Sequence, residues 1–417
     1  ERSREEKIQY DASANLNIDK LLPSKWGIKL PLYVSSSTSI ITPKYDPLDK
    51  DIPLSASINS FDTKKQQQEY KRLTEERIES KSISLNNVRK ERNNPESRVD
   101  FWDFENFSTG FSYSERISSN ITTEAIESKE HRGNITYNFS PKGISFQPFK
   151  SFKIFEAKVF KLIKDFNFNL LPSNINIRGD LNRRFNKTQY RNSDLSTKDV
   201  DPIYEKYFSF NKSYGLRWNL FNSMNVDFNV INNSIIDEPE GELDSKEKLD
   251  SMYYNLKRFG RTNNFNQNLQ VNYNIPINKF PLFDWISSNA KYSSRYLWSA
   301  GSFQQADSLG NIIENNREYS VNTKLDISKV YDKIPILKSY NKKYNEKDTL
   351  KSIFRSKTFD GIMKVIMSLK SINLTYNVTE RTGLAGVIGS PGIFGMNNYY
   401  KSPGWNFIFG SQDSEIR

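Results

Sequence analysis

His131 is the only histidine in this 417-residue chain, and cysteine is absent. A Ser/His/Asp triad or a multi-histidine metal site would have to pass through that one residue. Flanked by Lys129, Glu130 and Arg132 just before an alternating stretch, His131 reads as a solvated turn histidine. Two acidic clusters carry the hard oxygen ligands that calcium takes: Asp46, Asp49 and Asp51, and Asp237, Glu238, Glu240 and Glu242. Neither has the spacing of a calcium loop, and Pro47, Pro53 and Pro239 mark both as rigid turns. Gly386, Gly389, Gly392 and Gly395 recur every third residue without the lysine of a phosphate loop, and read as part of a flexible, partly apolar, Gly-rich outer loop over 382–404. These residues assemble no active site, so the expectation is a protein that is not an enzyme, with no catalytic residue, cofactor or metal.

The elements that would position them follow one pattern. Ile8, Tyr10, Ala12, Ala14, Leu16 and Ile18 share one parity, while Gln9, Asp11, Ser13, Asn15 and Asn17 share the other. Side chains reverse direction at every residue only in an extended strand, so this is a two-faced β-strand. The pattern returns about a dozen times. Trp26 to Ile40, 81–91, Phe107 to Tyr113, Ile135 to Phe139 and Phe166 through Ile177 carry it in the first half. Phe208 to Leu220 and Met224 to Val230, joined by an Asn222-Ser223 hairpin turn, carry it next. Phe265 to Ile275, Ala290 to Trp298, Tyr319 to Ile327, Ile372 to Val378 and the start of a strand at Trp405, Phe407 and Phe409 follow.

Several runs alternate for 11 residues or more, against about 5 to 6 in an ordinary globular strand. Trp285 and Trp298 lie 13 positions apart, about 43 Å along a strand and about 30 Å vertically at a 45° tilt. With Trp26 they are candidates for aromatic girdles flanking a lipid band; filling a sandwich core is the other reading. A mean hydropathy of -0.71 does not oppose a barrel, which needs apolar residues only at alternate positions. No run reaches the ~20 apolar residues of a membrane helix. The net charge of +11 is spread over strands and loops with no compact basic stripe, so no nucleic-acid partner is expected.

Barrels alternate short inner turns with long outer loops. With the Asn222-Ser223 turn inside, 42–80 becomes an outer cap insertion, 237–263 an outer loop with a helix, and 119–130 and 186–203 outer loops. The helix-bearing connections 141–165 and 331–370 fall inside. The first has an apolar stripe of Phe152, Phe155, Val159, Leu162, Ile163 and Phe166; the second, of Phe359, Ile362, Met363, Ile366 and Leu369. Each suits either a membrane interface or the barrel rim. Asp62 reads as the cap of a charged helix from Thr63 to Glu79, and Asp244 with Glu247 as a capping pair before Leu249.

Three irregular segments carry a more specific likeness: Ser24–Leu54, Ile236–Trp285 and Lys401–Gln412. Their residues Pro43, Lys44, Tyr45, Asp46 and Pro47, then Asp237, Glu238, Pro239, Gly241, Phe259, Gly260 and Arg261, then Pro403, Gly404 and Trp405 resemble the SprA family, outer-membrane translocons of type IX secretion that also serve gliding motility. The resemblance runs from about Ile8 to Gln412. It implies an all-β, antiparallel, up-and-down transmembrane β-barrel segment over 1–417, incomplete because about twelve strands cannot close so wide a pore. It also implies a location in the cell outer membrane. The polar end, from Ser411 to Arg417, without a terminal aromatic, and the leaderless start at Glu1 fit a processed chain or a piece of a longer one. Outer-membrane lipid, secreted cargo proteins and gate or plug proteins of the secretion system are the implied partners, and the irregular segments are candidate cap or gate elements. A passive porin, a plugged transporter and a soluble adhesin are the competing readings.

Overall fold

A computed structural model describes residues 4–94, 97, 99–150, 164, 166–192, 200–302, 310–335, 337–338, 357–397 and 399–412. Among them, one antiparallel sheet holds twelve long strands in chain order: β1 Glu5–Asn17, β2 Pro31–Pro43, β3 Glu76–Lys90, β4 Phe107–Ser119, β5 Thr123–Phe139, β6 Asn174–Tyr190, β7 Ile203–Phe221, β8 Met224–Ile235, β9 Arg261–Ile275, β10 Ile286–Ser299, β11 Asn311–Asp326 and β12 Ser371–Val387. A two-residue strand, Ile28–Lys29, pairs beside β3 as the thirteenth. The meander is up-and-down as expected, but β1 and β12 are its two edges and the sheet is not closed. Helices sit only in connections: α1 Leu54–Asn59, α2 Lys64–Thr74, α3 Lys246–Lys257, α4 Ile327–Lys333, α5 Lys357–Ser368 and α6 Trp405–Ile408.

Two compact units make up the chain. In the first (Glu1–Phe139, Asn176–Tyr214, Ile231–Asn264), register places Ala14, Val34, Ile83 and Tyr113 in one cross-strand row, and Leu16, Leu32, Leu85 and Phe111 in the next. Directly opposed residues share a face. Val34, Ile83 and Phe111 are exposed, so this face is apolar and bare. The other face carries hydroxyls: Ser35, Ser82 and Ser114 are in register, and the Ser35 and Ser82 hydroxyls are 2.7 Å apart. In the second unit (Ser140–Ile175, Gly215–Val230, Phe265–Arg417), Ala290, Val321 and Tyr376 form an apolar row, with Tyr376 66% exposed. Asn289, Asn322 and Thr375 make the polar row behind it.

The strands run further than apolar alternation indicates. Residues 119–130 are not a loop: only 120–122 turn, with the Asn120 side chain accepting from the Thr122 and Thr123 N–H groups, and β5 starts at once. The helix expected over Thr63–Glu79 ends at Thr74, because Arg77 and Glu79 pair across to Ile40 and Thr38 and become strand. Pairing there overrides the helix propensity of a Glu-Glu-Arg run. The strand expected from Phe166 through Ile177 is broken at Pro172: Phe168–Asn169 forms a two-residue strand paired with Ser145–Phe146, and the long strand begins at Asn174 and continues to Tyr190. Trp405 to Phe409 is no strand: Trp405–Ile408 is helical, and Phe407 and Ile408, adjacent in sequence, are both buried. Ser245, not Asp244, caps α3, its hydroxyl accepting from the Lys248 N–H; Thr63, not Asp62, caps α2 in the same way. His131 lies within β5, not in a turn, with its ring 4.8 Å from that of Tyr113. The helix expected from Phe152 to Phe166 falls largely outside the described residues.

Candidate functional site

Three irregular connections follow β2, β8 and β12, strands of the same sense in the meander, and each is fastened down by a different chemistry. The first runs over 44–75. Pro43 closes β2; the Lys44 N–H donates to the Arg4 carbonyl (2.8 Å) and the Lys44 carbonyl accepts from the Leu54 N–H (3.0 Å). Tyr45 bridges to Pro53, and Asp46 is 2% exposed at the centre. Its carboxylate accepts from the Tyr70 hydroxyl at 2.7 Å and the Leu48 N–H at 2.9 Å, so one side chain pins α2 to the turn. Burial pushes the Asp46 carboxyl up, but hydrogen bonds from Ser57, Tyr70 and the Leu48 and Asp49 backbone outweigh it and hold the group below its ordinary range. Tyr70 is pushed up to about 12 by burial, then by its bond to Asp46 and the charges of Asp46 and Asp49. A cleft of about 750 Å³ beside this clasp is lined by Arg4, Tyr45, Asp46, Pro47, Lys50 and Asp51, among others.

The second connection, 236–260, is held by charge and by a small core. Glu238, its side chain 4% exposed, takes two bonds from the Arg183 guanidinium of β6, at 2.5 and 3.1 Å, and Lys206 of β7 lies 3.9 Å away. Lys206 also donates to the Pro239 carbonyl at 2.6 Å, and Lys187 to Glu242 at 2.6 Å. Phe208, Ile236 and Met252 are buried together against Leu181, Phe210, Leu243 and Leu256, which seats α3 on the sheet. Asn255 donates to the Asp237 carbonyl at 2.8 Å, while the Asp237 carboxylate meets Arg261 at a longer 3.4 Å. Gly241 and Gly260 have φ of 71° and 70°. At Gly260 a Cβ would stand 2.6 Å from the Ile235 carbonyl oxygen, so the return into β9 requires glycine. Phe259, also at positive φ, sets its ring 5.7 Å from that of Phe210.

The third, from 388 to 412, is fastened by amides. Asn315 of β11 is 1% exposed. It donates to the Phe407 and Ser411 carbonyls at 3.0 and 2.9 Å and accepts from the Gln412 amide at 2.7 Å. Phe407 and Ile408 are buried, and Phe407 meets the Tyr296 ring edge-on at 6.2 Å. Gly404, at φ 91° after Pro403, starts α6; the Trp405 ring stacks on that of Phe409 at 6.0 Å. Gly395 approaches so closely that a Cβ would be 2.9 Å from the Tyr296 ring.

The candidate cap or gate residues thus fall into three clasps. Among the described residues no group of three or more His, Asp or Glu stands close enough to hold a metal ion. The second acidic cluster instead meets cations: Glu238 and Glu242 are taken by Arg183, Lys206 and Lys187. Of the girdle candidates, Trp26 is exposed in a connection, Trp285 donates to the Leu282 carbonyl at 3.0 Å just before β10, and Trp298 is only 4% exposed. Trp298 therefore presents no ring to the surroundings. Tyr70, Arg183, Lys187, Lys206 and Asn315 escaped the sequence reading. The available signal was a polar residue on an apolar parity: Asn315 and Arg317 lie between Ile313 and Tyr319 on the parity that Val321 continues.

Residues 1–58 match the family model SprA_N, a motility related/secretion protein. The match covers β1, β2 and the first clasp into α1. No curated protein matches the chain.

Proposed function

We propose that this chain is part of a very large outer-membrane β-barrel that passes folded proteins to the cell surface, as in type IX secretion and gliding motility. One observation carries the reading: a long antiparallel meander whose apolar rows stand bare on one face while serine, asparagine and threonine line the other. Bare rows of this kind suit lipid, and hydroxyl and amide rows suit a watered lumen. The match of residues 1–58 to a motility and secretion family supports the same assignment.

The mechanism is passage, not catalysis. A lumen of hydroxyl and amide groups, with charges such as Arg132, Glu130 and Arg184 paired to one another, lets a hydrated cargo slide without strong attachment, so steric gating sets the rate. The clasped connections serve as cap elements, and secreted cargo with gate or plug proteins are the partners. The test is single-channel conductance of the full-length protein in a planar bilayer. Deleting residues 43 to 54 is expected to alter the opening of a wide, gated pore. A small pore with conductance unchanged by that deletion overturns the reading in favour of a porin, and a protein that stays monodisperse without detergent overturns its lipid-facing half.

A further inference from the structure

Helix α5 carries an apolar stripe that nothing in the described structure covers. Ile362, Val365 and Ile366, at the i, i+3, i+4 spacing of one helix face, with Leu369 just beyond the helix end at i+7, are 57%, 72%, 46% and 47% exposed. The helix is not loose at this end. The buried Tyr331 hydroxyl of α4 reaches the Ile366 and Leu369 carbonyls, and Lys333 of α4 bonds the Pro281 carbonyl at 2.6 Å and pairs with Asp284. So the stripe is held outward by a scaffold built on the connection before β10.

We propose that α5 lies in the bilayer interface at the end of the sheet that carries the Asn222-Ser223 turn, with this stripe in the acyl boundary of the inner leaflet. The proposal rests on the reading that the bare apolar rows face lipid. Continuity decides the occupant. Only Lys370 separates Leu369 from β12, whose apolar parity begins at Ile372 and runs through Leu374 and Tyr376, 53% and 66% exposed. Strand row and helix stripe are separated by Lys370 and Ser371 alone, so a bilayer that covers the first reaches the second. At 12 residues, about 18 Å, α5 is too short to span and has the one-sided form of an interfacial helix. Lys370 at the junction can lay its methylenes along the boundary with its ammonium in the headgroups.

The test places a single cysteine in the full-length protein, labelled with an environment-sensitive dye, in vesicles of phosphatidylethanolamine and phosphatidylglycerol containing nitroxide lipid. Val365→Cys is the probe, Tyr376→Cys reports the strand row, and Asn377→Cys the opposite face. The expected result is a blue shift and at least twofold quenching at 365 by shallow nitroxides, quenching at 376, and none at 377. Quenching at 376 without quenching at 365 overturns the proposal and gives the stripe to a protein partner, a second copy or another segment of the chain. Absence of quenching at both positions overturns the lipid-facing reading itself, and the proposal with it.

Discussion

At the scale of single residues, the strongest constraints are buried charges with assigned partners. Asp46 and Tyr70 give the first clasp a defined pH window. The lowered Asp46 pKa makes its stabilisation fully present above the unfolded carboxylate value near ~4, and lost as pH falls through the lower folded value. Tyr70 acts at the other limit: its phenol stays protonated in the fold up to about 12, so its share is present below ~10 and lost as pH rises between these values. Tyr70→Phe is expected to cost about 1.5 to 3 kcal/mol, a hydrogen bond to a charged group, read as faster hydrogen exchange across 44–75. Arg183→Ala is the more severe change. It leaves Glu238 buried with only Lys206 at 3.9 Å, and should cost about 3 to 5 kcal/mol in the local stability of 236–260. Glu238→Gln, which removes the charge along with the bond, should cost less; equal losses for the two would show that the pair is not the clasp. The acidic cluster was legible in the sequence as a turn, but its cations were not, since Arg183 lies 55 positions away from Glu238.

At the scale of elements, the sequence displayed strands where they are apolar and hid them where they are charged. β6 illustrates the rule: Ile175 and Ile177 advertise its start, while Arg183 and Lys187, on the same parity, belong to the stretch covered by the second clasp. Alternation counts hydrophobic residues, so it stops where the face changes from bare apolar rows to a surface covered by the second clasp. The end of the chain failed for the converse reason. Trp405, Phe407 and Phe409 alternate, but Asn315 reaches across to the backbone at Phe407 and Ser411 and stabilises a helical turn. Asn315→Leu should therefore release 399–412 as a unit. Losing these bonds costs about 0.5 to 1.5 kcal/mol each, and leaves buried carbonyls unpaired. Limited proteolysis is expected to cut near Tyr399 and Lys401 in the variant well before the wild type, with the β10–β11 pairing unaffected; equal cutting rates would deny Asn315 this role.

For the whole molecule, the question is whether the apolar face meets lipid, and two adjacent residues test it. Phe111 and Ser112 are neighbours on β4, so they point to opposite faces. Phe111 sits in the bare row with Leu85, and Ser112 is in register with Ser84 and Arg132 on the polar face. If the apolar rows lie in the hydrocarbon, Phe111→Arg places a guanidinium there, at about 2 to 4 kcal/mol for a site near the midplane and less toward the interfaces. Ser112→Arg adds its charge to a wetted surface that already holds Arg132, and should fall within ~0.5 kcal/mol of the wild type. Refolding the full-length protein into bilayers across a urea series measures both. A large loss at 111 with near-neutrality at 112 fixes the orientation of β1 to β5, whose registers are coupled. The reverse order would turn the sheet inside out, and equal small effects would mean that neither face is in lipid.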